Sequence, residues 1–228
     1  MEDEFKQARL MNAKTAPKMS IRFIQITDLN NQKTEQAFVI YRKSFPANER
    51  QKEEVVRQRL NSGTEDMFAG LKDDAVIAMG LVFNLSNSGF VLLDYFAVSE
   101  HERGSGTGTL FMQFLIQCYN QSNKQMIMEV EDPQDGKNLE ERQRRVNFYR
   151  GLGAKCLQDV RYVLPALDGT TSTTMILMTF TQGSVPTMPG SEVKKLLLDL
   201  YEQVYNKNAD DPLVLDVINR LPKQIKLQ

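Results

Sequence analysis

Leu93-Asp-Tyr-Phe-Ala-Val98-Ser-Glu-His-Glu-Arg103-Gly-Ser-Gly106-Thr-Gly108 runs from a strand-forming stretch into three alternate glycines. Leu110, Phe111, Phe114, Leu115 and Cys118 then recur on one face of a helix. Glycines let successive backbone N–H groups turn toward one point with no Cβ in the way. The helix that starts there adds unpaired N–H groups and the positive end of its dipole. Strand, glycine turn and helix together describe an anion site suited to phosphate or pyrophosphate. A Walker A loop would need Gly-x4-Gly-Lys-Ser/Thr, which is absent from the sequence. A dinucleotide fingerprint would need Gly-x-Gly-x-x-Gly, and Thr109 stands where its third glycine belongs. Glu129 lies where a ribose-binding acid would sit in that second case. On the loop alone, a dinucleotide site and an ordinary glycine-rich turn both stay open.

Upstream, Ile21–Thr27 alternates with period two and reads as a strand. Ala37, Phe38, Tyr41 and Phe45 form a helical stripe over 34–45 that Pro46 ends. A charged helix over about 48–60 turns Val55, Val56 and Leu60 inward and closes at Asn61-Ser-Gly63. Strand-like runs at about 66–72, 75–84 and 90–98 are joined by Asp73-Asp74 and by Asn84–Gly89, the signature of an antiparallel meander. A meander does not open the βαβ unit that a dinucleotide fingerprint requires.

Downstream, Gln125–Val130 reads as a strand, and Asn138 with Glu141 has the spacing of a capping box. The helix that follows turns Val146, Tyr149 and Leu152 inward and ends at Gly153. Strands are expected at about 155–164 and 173–181, with a linker over Pro186–Gly190. Ser191 then caps a helix with Val193, Leu196, Leu197, Leu200, Tyr201 and Val204 inside, and Asp211-Pro212 starts a last short helix. The apolar faces of these two helices need cover, either from the sheet of the same chain or from a second copy in a homodimer.

The glycine stretch resembles the central signature of the GNAT superfamily of N-acetyltransferases: a strand, Arg/Gln-x-x-Gly-x-Gly/Ala, then a helix. Val146-Asn-Phe-Tyr149-Arg-Gly-Leu-Gly153 is similar to a second block of that family, with Ala154 where an aromatic is common. The likeness covers about residues 20–182. It implies an α/β (α+β) fold with a mixed, mostly antiparallel sheet, helices on both faces, and strands splayed to admit acyl-CoA. Residues 1–19 are expected to be a mobile tail and 183–228 a helical extension.

The resemblance implies an acetyl-CoA-dependent N-acetyltransferase acting on a small-molecule or peptide amine by direct attack, with no metal. Phe96, Ala97 and Val98 would pair with the coenzyme arm. Arg103, Gly104, Ser105, Gly106, Thr107 and Gly108 would hold its pyrophosphate. Tyr149 would serve as general acid for the thiolate; as a sequence feature alone it reads equally as a core tyrosine. Glu129 is the first candidate for the base, Asp94 the second and Glu131 a third. Phe45 and Glu49, at the junction of the first two helices, would face the acceptor. A non-catalytic coenzyme A sensor on the same fold is the alternative reading.

The composition sets outer limits. The chain has 228 residues, 41% hydrophobic and 25% charged, with a formal charge of −1. That balance suits a globular domain and offers no global field for nucleic acid. His101, the only histidine, falls in the turn before the glycines, where a solvated role is expected. Cys118 and Cys156 lack metal-ligand spacing, and Cys118 lies on a helix's apolar face. Arg142, Arg144 and Arg145 read as a solvated helix face. With few cysteines, no secretory leader and no ~20-residue apolar span, the expected setting is cytoplasmic, away from membranes.

Overall fold

In the computed structural model of the chain, residues 21–47, 50–134, 138–165, 172–181, 183 and 185–228 are described. Among them β1 (Arg22–Ile26), α1 (Gln32–Ser44) and α2 (Glu53–Ser62) lead into β2 (Glu65–Lys72), β3 (Ala75–Asn84) and β4 (Phe90–Val98). Then come α3 (Thr107–Gln121), β5 (Gln125–Glu131), α4 (Leu139–Gly151), β6 (Lys155–Cys156), β7 (Tyr162–Leu164) and β8 (Thr173–Thr179). The main sheet has the order β1-β2-β3-β4-β5-β8-β6, with β7 also on β8. Every pairing is antiparallel except β4 with β5. Asp73 and Asp74, both at positive φ, make the tight β2–β3 turn that the sequence announces.

One irregularity organises the core. Leu81 opposes Tyr95 and Val82 opposes Leu93, so Asp94 is the extra residue of a β-bulge. Before it, Val91 and Leu93 face the core under α3 and α4, and Phe90 and Leu92 face the other way. Beyond it the alternation is reversed, and Tyr95 and Ala97 join the core under α1. The bulge thereby aims a carboxylate into the layer where α2 and the C-terminal segment meet.

That segment forms β9 (Thr187–Pro189), α5 (Gly190–Asp199) with a π-helical continuation over Leu200–Val204, α6 (Pro212–Asn219) and β10 (Gln224–Lys226). The six inward positions expected for α5 and its continuation are all buried, against Phe83, Phe90, Leu92, Ile127, Tyr162 and Leu177 of the same chain. Each such side chain contributes about 1.5–3 kcal/mol on burial, which accounts for the docking within the chain.

Local expectations differ from the structure in several places: Ser191 lies inside α5, whose N-cap is Pro189, and Leu110 is exposed on α3. The stretch around Pro186–Gly190 holds a strand, because β9 pairs with β10 some 35 positions on, a partner no local pattern reveals. Asn138 sits at φ 60, ψ 40 and makes no side-chain cap, so the capping box does not form. Residues 155–164 divide into β6 and β7, separated by a turn with Asp159 at φ 61. Residues 1–19 and Glu49 lie outside the described residues.

Candidate active site

β4 and β5 pair at Phe90–Gln125, Val91–Met126 and Leu92–Ile127 and at no later residue. β4 nonetheless continues to Val98 and β5 to Glu131, so the two strands leave a wedge between them. The N–H of Ser99 donates to Ile77 O at 2.8 Å, which marks that facing pair as a hydrogen-bonded one. Because such pairs alternate along an antiparallel ladder, the backbone groups of Val98 and Phe96 point away from β3 and into the wedge.

The glycine turn sits at the wedge's mouth. A short 3-10 turn over Glu100–Glu102 leads to Arg103, then Gly104 at φ 76 and Gly106 at φ 86, and α3 begins at Thr107. Those two glycines are required by the left-handed backbone; a Cβ on either would meet no heavy atom within 4 Å, so the turn presents an open cradle. Arg103 Nε donates to Val98 O at 3.3 Å and ties the turn back to β4. The Ser105 hydroxyl donates to Glu102 O at 2.6 Å and lies 2.8 Å from the Thr107 hydroxyl, so it shapes the turn from within. The Thr107 N–H donates to Ser105 Oγ at 3.4 Å, and the next N–H groups of the first turn of α3, which have no intrahelical acceptor, suit an anion.

On the α3–α4 side of the wedge stands Tyr149, 8% exposed, its ring 5.3 Å from Phe148. Its hydroxyl has no hydrogen-bond partner among the described residues. Burial pushes its pKa up to about 12, with Arg145 opposing slightly, so it holds its proton at any ordinary pH. Met128 and Val130 belong to the same core.

Glu129, between them on β5, faces the opposite side. Tyr162 donates to its Oε1, and Tyr205 donates to its Oε2 at 2.5 Å. Burial lifts the carboxyl to about 7; the two tyrosine hydroxyls hold it down and the Asp94 charge pushes it up. Asp94 lies 3.4 Å from Arg59, whose side chain is 12% exposed against 8% for Asp94. Burial raises Asp94 to about 6, against the pull of Arg59 and of Glu65. Glu65, 2% exposed, is pushed well above the carboxylate range by burial and then by the Asp94 charge. Neither of its oxygens has a hydrogen-bond partner among the described residues. Burial and the neighbouring Asp94 charge therefore favour a neutral Glu65, while Arg59 pairs with Asp94. Arg59 also donates to Val204 O at 2.8 Å and lies over the Phe83 ring.

The profile of the Acetyltransferase (GNAT) family matches residues 34–154. The chain belongs to the GNAT acetyltransferase family. Among solved structures, a GNAT-family protein from Bacteroides thetaiotaomicron has a TM-score of 0.68 at 22% identity, covering 81% of this chain and 98% of its own. An aminoglycoside 6′-N-acetyltransferase complexed with coenzyme A gives 0.55 at 19% identity, covering 70% and 96%. The ribosomal-protein-S18-alanine N-acetyltransferase of Escherichia coli gives 0.51 at 13%, covering 73% and 99%. At these identities the likeness is one of fold. No curated protein matches the sequence.

Against the GNAT pattern, the structure gathers Phe96, Val98 and the 103–108 turn at the wedge, with Glu129 and Asp94 on one face and Tyr149 on the other. Ala97, on β4 between the two wedge-facing residues, turns its side chain into the α1 core. Glu131 is bound by Arg142 at 2.9 Å and Arg145 at 3.0 Å, so it is engaged in ion pairs beyond the site. Those arginines therefore do more than solvate a helix. Phe45 packs its ring 4.9 Å from Tyr95 and 5.7 Å from Tyr41. Tyr41 donates to Gln51 O at 2.9 Å, and Tyr95 accepts from Gln51 N at 2.8 Å, which fastens the α1–α2 junction to β4. His101 is exposed in its turn. The Cys118 thiol is raised by burial, which keeps it protonated. Arg59, Glu65, Tyr162 and Tyr205 escape the sequence reading: they come from α2, β2, β7 and the C-terminal segment, and no spacing joins them.

Proposed function

We propose that the chain transfers an acetyl group from acetyl-CoA to a primary amine, by direct attack with both substrates bound. The observation that carries this is the wedge, which has a glycine cradle at its mouth, a proton-holding tyrosine on one face and a carboxyl titrating near neutrality on the other. The residues present fit the coenzyme. Phe96 and the N–H of Val98 offer wedge-facing backbone to an amide-bearing arm, Val98 O being held by Arg103, and the turn at Gly104–Gly108 offers N–H groups to a pyrophosphate. When bound, acetyl-CoA supplies the activated thioester.

Glu129 takes the proton of the acceptor ammonium, directly or through a water, and its pKa of about 7 matches that task. The backbone N–H of Phe96 is aimed where carbonyl charge develops. Tyr149 keeps its proton until the sulfur leaves and then delivers it; among the described residues no partner holds its hydroxyl back. Asp94, neutralised on one side by Arg59, sets the electrostatic background of Glu129 and is the second candidate for the base. Phe45 and Glu49 would wall the acceptor side. Amines are also the acceptors named for the aminoglycoside and ribosomal-protein enzymes of like fold. The free cysteines suit a reducing cytoplasm.

Acetyl-CoA at about 100 times its Kd should stabilise the protein by about 2.7 kcal/mol. Gly106→Glu, which places a strained side chain and a negative charge in the cradle, should abolish that shift. An unchanged melting temperature at millimolar acetyl-, propionyl- and succinyl-CoA would overturn the reading. Thiol release with a panel of amines separates an enzyme from a coenzyme sensor.

A further inference from the structure

The C-terminal segment does more than cover the sheet. Its π-helical stretch, Leu200–Val204, inserts an extra residue into the turn at the end of α5. Tyr201 and Tyr205, four positions apart across it, reach different partners. Tyr201 donates to the backbone oxygen of Val163 at 2.9 Å, whereas Tyr205 reaches past it to Oε2 of Glu129. Tyr162, held by β7 on the edge of β8, closes on Oε1 from the other direction. Both oxygens of one buried carboxyl thus receive a hydroxyl donor, one from the body of the fold and one from the appended segment. The same appended turn supplies Val204 O to Arg59, and Arg59 in turn faces Asp94.

We propose that Tyr205 is a positioning residue of the catalytic centre, and that the C-terminal segment, by delivering it, completes with Tyr162 a two-hydroxyl clamp on Glu129. The catalytic meaning of the clamp rests on the reading of Glu129 as the base. Its physical content is independent of that reading. A carboxylate that accepts from two hydroxyls is fixed in orientation, and its charged form is favoured over what burial alone would allow. The lone pairs not used by the tyrosines remain available to an acceptor proton. The groups that bear on Glu129 are Tyr162 and Tyr205 in contact and the Asp94 charge across the wedge, with Arg59 and Glu65 acting through Asp94, whereas Tyr201 spends its hydroxyl on Val163 O.

Tyr205→Phe keeps the ring and removes one donor. In protein carrying 13C at the glutamate side-chain carboxyl carbon, the Glu129 resonance is identified by its loss in E129Q and titrated between pH 5 and 9. The midpoint should rise in Y205F by about half to one pH unit, and in Y162F in the same direction. Tyr201→Phe breaks another hydrogen bond of the same helix and should lower the melting temperature without moving the Glu129 midpoint. A midpoint unchanged in both Y205F and Y162F, or shifted equally by Y201F, would overturn the clamp. The base assignment fails separately, if E129Q turns over acetyl-CoA and amines at the rate of the unmodified protein. The two failures are therefore distinguishable.

Discussion

Replacing Glu129 by glutamine should make the protein more stable while removing the proposed base. Burial lifts the Glu129 carboxyl to about 7, against about 4.3 in an unfolded chain. A carboxyl raised by folding holds its proton more tightly in the native state. Its contribution to stability is therefore intact below about pH 4 and is lost as pH rises through about 7. By pH 8 the loss is about 3–4 kcal/mol, and at pH 5 it is about 1 kcal/mol. Glutamine has the same shape and never ionises. Its carbonyl can accept from one tyrosine hydroxyl while its amide donates to the oxygen of the other. It also removes the like charge that faces Asp94. E129Q should then gain about 3 kcal/mol at pH 8 and about 1 kcal/mol at pH 5. In a chain of this length, that raises Tm by roughly 6–12 °C and 2–4 °C respectively. Scanning calorimetry of both proteins across this range is the assay. A variant that melts below the unmodified protein at pH 8, or a gap that does not change with pH, would refute a buried carboxyl that ionises near neutrality. Acetyl transfer by E129Q should fall about 10²–10⁴-fold.

Arg59→Met leaves Asp94 buried without its counter-ion and should cost about 3–5 kcal/mol at pH 8. The deficit should shrink at pH 5, where Asp94 takes up a proton, and melting at both values tests this. Tyr149→Phe breaks no hydrogen bond among the described residues, so Tm should stay within a degree or two while thiol release falls on the order of 10²-fold. Equal turnover would return Tyr149 to a packing role. Gly190→Ala puts a Cβ 2.0 Å from Pro222 O, backbone against backbone, where neither side yields cheaply. It should cost about 1–3 kcal/mol or more and expose the C-terminal segment to limited proteolysis before the sheet; simultaneous cleavage of both would count against that local origin.

The cradle, the meander and the inward faces of the helices were legible because each is a local pattern: alternate glycines at Gly104, Gly106 and Gly108, the Asp73-Asp74 turn, and apolar residues at helical spacing in α3 and α5. Tyr149, Glu129 and Asp94 came forward through their places in the family motifs. What escaped is what the sheet brings from afar. Asp94 and Leu93 look alike as strand positions, and only the slip opposite Leu81 and Val82 makes Asp94 the bulge. Glu65 looks like an ordinary charged strand start until burial and Asp94 take its charge away. Tyr205 lies 76 positions from Glu129, and the π turn that aims it leaves no mark in hydrophobic spacing. For the same reason the strand around Thr187–Pro189 looked like a linker, since its partner is at the other end of the segment.

The short β4–β5 pairing has a further consequence. A sheet that stops zipping after Leu92 and Ile127 keeps two edges inside the molecule, where neither water nor a neighbouring strand is their designed mate. On the proposed function, the coenzyme arm is the missing strand, recognised by the spacing of its amides against Phe96 and Val98 and not by the group it carries. Shortening or stiffening that arm should then be punished far more than changing its acyl tip. Free coenzyme A, which keeps the arm, should bind almost as well as the loaded donor and restrain turnover as product builds up.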